Sequence, residues 1–202
     1  MGISNRARRA PLYLAAGILT GILTYLLAGA LAGRLTAGPL RHPVGLSADG
    51  RVLAARARID TRVLAGRVFT DLNIVRRQHG VQPLADSGTL DAVATGRSCD
   101  MIVRRYFSHQ IPVGPGNPGG MIFDLLERQR VGYAMAGENI AMNNYAQFGL
   151  TARLVADKTN ADLYASIDHR VNMLDRAYDH VGVGACATAD GTVIVTEVFL
   201  GR

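Results

Sequence analysis

The sequence contains no tryptophan and only two cysteines, Cys99 and Cys186. No cysteine in position for lipidation follows the apolar stretch near the N-terminus, which argues against a lipid-anchored lipoprotein. There is no H-E-x-x-H pair and no G-x-S-x-G elbow, so the commonest zinc-peptidase and serine-hydrolase signatures are missing. No internal repeat is present. A basic nucleic-acid groove is also lacking, despite a net charge of +6. Arg6, Arg8, Arg9, Arg34, Arg41, Arg51, Arg56 and Arg58 face only Asp49 and Asp60 within residues 1–60. That surplus accounts for the whole net charge. The remainder is formally neutral, and no nucleic-acid partner is expected.

What is present begins with residues 10–33, which carry no charge. Such a run is long enough to cross the ~30 Å hydrocarbon core as a helix, and its Gly and Ala content suits a spanning segment. Residues 1–9 form its basic flank. A cleaved signal peptide is the alternative, because Ala30-Leu-Ala32 fits an A-x-A site; signal cores, however, usually run only ~7–15 residues. The expectation is a single-pass anchor in the cell membrane, with secretion after cleavage near Ala32 as the alternative. Arg34 and Arg41 follow the segment closely, so charge bias alone orients it weakly. Residues 34–60, with Pro39 and Pro43, read as a linker. Residues 61–202 are long enough to bury a core of their own.

Within that stretch, Leu64, Val68, Leu72 and Val75 recur at helical spacing from Arg62 to His79, and Gly80 stops the run. A second helix is predicted from Ser87 to Arg105, a loop over 110–120, and a short helix through Ile122, Phe123, Leu125 and Leu126. Residues 145–168 read as one further helix. Val181–Ala187 and Val193–Phe199 are β-rich and joined through Asp190-Gly191, a hairpin signal. Gly137–Met142 is a candidate third strand. Helices covering a small sheet give an α+β class.

Four short stretches carry the polar residues that could form a site: Tyr106-Phe-Ser-His109, Gly137-Glu-Asn-Ile-Ala141, Ser166-Ile-Asp-His-Arg-Val-Asn-Met-Leu174 and Tyr178-Asp-His-Val-Gly-Val-Gly184. Taken singly, His109 and His169 read as helix-end histidines, and Glu138 as a carboxylate holding a turn. In this order and spacing, the four stretches resemble the CAP superfamily (cysteine-rich secretory proteins, antigen 5 and plant pathogenesis-related group-one proteins), in its bacterial SCP-like branch. Asn73-Ile-Val-Arg-Arg-Gln-His-Gly-Val-Gln-Pro-Leu84, Arg97-Ser-Cys-Asp-Met101 and Thr192-Val-Ile-Val-Thr-Glu-Val-Phe199 resemble the family's first helix, second helix and closing strand. The similarity spans roughly residues 62–200. It implies an α-β-α sandwich with a small, mostly antiparallel sheet, preceded here by the N-terminal transmembrane helix.

The resemblance also implies a cleft holding His109, Glu138 and His169, a set that suits zinc or another divalent cation with one position left for water. Where many relatives have a second glutamate, this chain has Ser166, a poor zinc ligand whose hydroxyl could bond His169 or hold a water. Leu163 stands where relatives often carry tryptophan. A Ser166–His169–Glu138 triad can be drawn, but serine and histidine on one helix end suit nucleophilic attack badly. Gly114-Pro-Gly-Asn-Pro-Gly119 matches G-x-G-x-x-G by letter only, because Pro115 and Pro118 remove N–H donors and no βαβ unit surrounds it. Asn139 and Asn172 are expected to hold loops, His180 to be a partner or surface residue, and Arg170 to pair with a sheet carboxylate.

For Cys99 and Cys186, a disulfide tying the second helix to the sheet and two separate buried thiols both remain open. The expected function is a membrane-anchored, extracytoplasmic CAP domain acting as a non-catalytic envelope module that binds lipid, glycan or protein. The alternative is a metal-dependent hydrolase, a peptidase using His109, Glu138 and His169.

Overall fold

The computed structural model describes residues 59–144 and 151–202. The predicted membrane segment, and all but the end of the predicted linker, fall outside these residues. Among the described residues no helix is long and apolar enough to cross a membrane.

Helix α1 (Thr61–Gln78) starts at Asp60, whose carboxylate accepts the backbone N–H groups of Arg62 and Val63 at 2.9 and 3.1 Å. That is an N-cap satisfying otherwise orphaned donors. Leu64, Val68 and Leu72 are fully buried along one stripe. The edge strand β1 (Ala85–Asp86) follows; at two residues it is too short to show any periodicity in sequence. Then come α2 (Gly88–Val103), α3 (Ile122–Arg128) and β2 (Met135–Asn144). The single helix expected over 145–168 is instead α4 (Ala152–Ala165) and α5 (Ile167–Leu174), with residues 145–150 outside those described. The backbone leaves the helical region at Ser166 (φ −76°, ψ 126°), which ends one helix and starts the next. Apolar spacing continues across this break, so periodicity alone cannot reveal it. Strands β3 (His180–Ala187) and β4 (Thr192–Gly201) form the hairpin signalled by Asp190-Gly191, with Gly191 at φ 102°.

The four strands lie in the order β1-β3-β4-β2, with β1 parallel to β3 and the other pairs antiparallel. Alternate residues of β4 enter different layers. Val193, Val195 and Phe199 pack with Leu64, Leu72, Val155, Leu163 and Met173 of α1, α4 and α5. Val198 and Leu200 pack with Leu90, Val93, Ile122 and Leu126 of α2 and α3. The α-β-α layering is therefore as expected. Because β4 is covered on both faces, it reads as a near-continuous apolar run.

Gly182 and Gly184 on β3 let α2 lie directly against the sheet. A Cβ at Gly184 would fall 2.0 Å from the backbone nitrogen of Thr95, and one at Gly182 would fall 2.1 Å from the carbonyl carbon of Leu90. Gly184→Ala must push a whole helix away. We expect a loss in the upper part of the ~1–3 kcal/mol range for overpacking, read as a lower midpoint in urea; an unchanged midpoint would mean that the helix shifts freely.

Cys99 of α2 and Cys186 of β3 form a disulfide with Cα atoms 5.0 Å apart, so the first of the two readings of these cysteines holds.

Candidate functional site

Glu138 and Asn139 are neighbours on β2, so their side chains enter opposite faces of the sheet. Glu138 faces α2 and has a side chain only 2% exposed. The Arg97 side chain, 1% exposed, places Nε 2.9 Å from Glu138 Oε1 and Nη2 3.5 Å from Oε2. Its Nε–H does not line up with Oε1, so this first contact is ionic in character without an aligned hydrogen bond. Arg97 also donates to the Tyr106 hydroxyl at 2.7 Å and to the carbonyls of Ser108 and His109 at 2.6 and 3.2 Å. Tyr106 in turn hydrogen-bonds Asp100, and burial together with that bond pushes its phenol up to about 12. One guanidinium thus holds both the carboxylate and the segment that carries His109.

His109 Nδ1 lies 2.8 Å from Glu138 Oε2. A carboxylate beside a guanidinium is an acceptor, so Nδ1 carries the proton in this contact. The ring of His169 lies across from it, centroid to centroid 6.3 Å and inclined by 43°. Burial, and behind it the charge of His109, hold His169 below its ordinary value. The structure therefore brings His109 and Glu138 into contact and sets His169 opposite. Ser166 caps α5 with its backbone, its carbonyl accepting from Arg170 N at 2.9 Å, while its hydroxyl makes no capping bond. Among the described residues, no three His, Cys, Asp or Glu side chains form a group that could hold a metal ion.

On the other face of the sheet, Asn139 is fully buried. Its amide donates to the His169 carbonyl at 3.2 Å and to Glu197 Oε2 at 2.9 Å, and its oxygen accepts from Asn172 at 2.9 Å. Asn172 donates as well to the Glu138 carbonyl at 3.3 Å. These amides dock α5, and with it His169, onto β2. Arg76 holds the far end of α5 by donating to the carbonyls of Met173 and Asp175 at 2.7 and 3.1 Å. Arg170 does not pair with a sheet carboxylate. Half-buried, it turns back towards α4 instead, donating to the Tyr164 carbonyl at 3.1 Å and lying over that ring. His180 bonds Asp179 at 2.6 Å near the surface, as a partner residue would. Residues 114–119 form a tight loop closed by a Gly114–Asn117 bridge.

Sequence reasoning missed two members of this network. Arg97 lies seven residues after Leu90 and four before Met101, on the apolar stripe of α2; a cation in that position needs a buried anion. Glu197 is the single charged residue in strand β4. It is fully buried, and its Oε1 has no hydrogen-bond partner.

Burial pushes the Glu197 carboxyl from 4.5 up to about 7, against a smaller opposite pull from Asn139. Between these values the folded chain holds a proton that the unfolded chain has released. Stability must therefore fall as pH rises through this window. Above about pH 7 the loss is complete, at roughly 3 kcal/mol. Glu197→Gln should flatten this part of the profile and exceed the wild type in melting temperature at about pH 8. Parallel wild-type and variant profiles would place the titration elsewhere.

Beside the cleft, Met101, Ile102, Tyr106, Phe107, Met142 and Ile194, together with Arg105, Thr188 and Thr192, line an open groove of about 270 Å³. The segment 106–109 lines this groove at one end and supplies His109 at the other.

Fold and cleft together define an α-β-α sandwich with a His/Glu cleft at the edge of a short sheet. The profile of the cysteine-rich secretory protein family (CAP) matches residues 69–199, and the chain belongs to that family. The uncharacterized protein YkwD of Bacillus subtilis (strain 168) is 32% identical over 130 residues, 64% of this chain and 44% of that protein. The uncharacterized membrane protein YlbC of the same strain is 36% identical over 112 residues, 55% and 28%. The chain thus matches less than half the length of these two curated relatives. Among solved structures, an extracellular SCP-domain protein of Bacillus anthracis (strain Ames) shares 30% identity at a TM-score of 0.57, covering 70% of this chain and 41% of that one. An outer surface protein of Borrelia burgdorferi, at 17% identity and a TM-score of 0.58, shares the fold.

Proposed function

We propose that this is an extracytoplasmic, membrane-anchored CAP domain that binds a ligand at the cell envelope and does not cleave it, and that the ligand is an anionic lipid. The apolar groove beside the cleft carries this reading. Its lining of Met, Ile, Tyr and Phe side chains suits an acyl chain, and Phe107 and Met142 expose 43% and 51% of their surface there. Arg105, exposed in the lining, suits an acidic headgroup. The volume lies at the small end of ligand pockets, enough for part of a chain. Metal-dependent hydrolysis, the alternative, would need a carboxylate free to take a proton or hold a metal, whereas Glu138 is engaged by Arg97 and His109. The names of relatives that are extracellular or membrane proteins, and the uncharged stretch over 10–33, support the location.

A fatty acid bearing a photoactivatable diazirine tests the reading on the full chain in phosphatidylcholine nanodiscs. Crosslinks should map to residues 101–107, 142 and 194, and fall in an Arg105→Glu variant. Labelling confined to residues 10–33 would remove the lipid proposal.

A further inference from the structure

We propose that Arg97 is the resident cation of this cleft: its guanidinium takes the place beside Glu138 that a divalent ion would need, so the cleft as built does not bind divalent metals. The argument starts from charge. Glu138 is the one carboxylate among the cleft candidates, and its side chain is 2% exposed. An ionised carboxylate cannot stay there alone, because an unpaired buried charge is strongly unfavourable. Something positive must accompany it. In this chain that partner is covalently attached, carried on α2 and 1% exposed.

Geometry leaves little for an added ion. Glu138 Oε1 has Arg97 Nε at 2.9 Å, and Oε2 has Arg97 Nη2 at 3.5 Å and His109 Nδ1 at 2.8 Å. A divalent ion at either oxygen would face a guanidinium at close range. Arg97 cannot swing away without releasing Tyr106 and the carbonyls of Ser108 and His109, which it also holds. What remains towards the cleft is two imidazoles, His109 and His169. Ser166 supplies no charge, and catalytic zinc sites generally use three protein ligands.

The exclusion should be reversible by one substitution. Arg97→Gln removes the guanidinium, with its bonds to Tyr106, Ser108 and His109, and leaves Glu138 buried and uncompensated. A cation that enters beside Glu138, with His109 and His169 at hand, would relieve that charge. Zinc would then restore stability to the variant by binding only its folded state. This conclusion concerns the ion alone and does not depend on which ligand the neighbouring groove takes.

The test uses the full chain in detergent, zinc chloride as the probe, and both calorimetry and thermal unfolding. Wild type should show no zinc binding that His109→Ala removes, and no rise in melting temperature. Arg97→Gln should bind zinc at least ~100-fold more tightly than wild type, with a saturable rise in melting temperature that Arg97→Gln/His109→Ala lacks. A variant unfolded without metal should refold as zinc is added. Two results would overturn the proposal: wild-type zinc binding abolished by His109→Ala, or an Arg97→Gln chain whose stability zinc leaves unchanged.

Discussion

Arg97→Gln should cost the domain about 3–5 kcal/mol, the usual penalty for removing one partner of a buried ion pair. Both side chains of the Arg97–Glu138 pair are almost fully buried, so water cannot compensate the carboxylate that remains. The same change frees the Tyr106 hydroxyl and the carbonyls of Ser108 and His109, which would loosen the segment that positions His109. Two observables should therefore move together. Urea unfolding should show the drop in stability, and the His109 ring resonances should lose their distinct environment in NMR spectra. A variant that unfolds like the wild type would mean that Glu138 is neutral, or that its charge is met by another group.

Loss of the disulfide should have an effect of similar size. Cys99 and Cys186 are 87 residues apart in sequence, so the bond closes a long loop in the unfolded chain. In the chain-entropy model, that loop contributes about 4–5 kcal/mol. The bond joins α2, which carries Arg97, to β3, the strand next to the one bearing Glu197. Reduction, or the double change Cys99→Ala/Cys186→Ala, should lower the urea midpoint sharply in a chain that otherwise keeps its helical content. An unchanged midpoint under reducing conditions would show that packing between α2 and the sheet suffices.

Much of the fold was legible because its elements are long and conventionally patterned. The buried stripe of Leu64, Val68 and Leu72, the Gly80 stop and the Asp190-Gly191 hairpin each follow from local chemistry visible in the residues. The break at Ser166 was not, since apolar spacing runs on across it and only the backbone turns. Nor was β1, whose two residues pair with β3 purely through tertiary position. For the cleft, the resemblance picked out His109, Glu138 and His169, and the structure places His109 on Glu138 with His169 opposite. It did not supply the charge balance. Arg97 sits in a helix among residues that look unremarkable in order. Only its spacing from Leu90 and Met101 betrays it as an inward-facing cation, and only the sheet shows which carboxylate it meets. Glu197 lies in the stretch that resembles the closing strand, where the resemblance assigns it no role; an isolated acid between Val195 and Phe199 is a signal that burial turns into a pH response.

The coupling between Arg97 and Glu138 tests the charge-balanced cleft most directly. A double-mutant cycle of wild type, Arg97→Gln, Glu138→Gln and the double variant, followed by urea unfolding at about pH 7, isolates that term. Each single change should be costly, and the double variant should recover much of the loss, giving a coupling of at least ~2 kcal/mol. Strictly additive losses would mean that the two side chains do not balance each other, and the account of the cleft as a site closed by its own cation would be wrong.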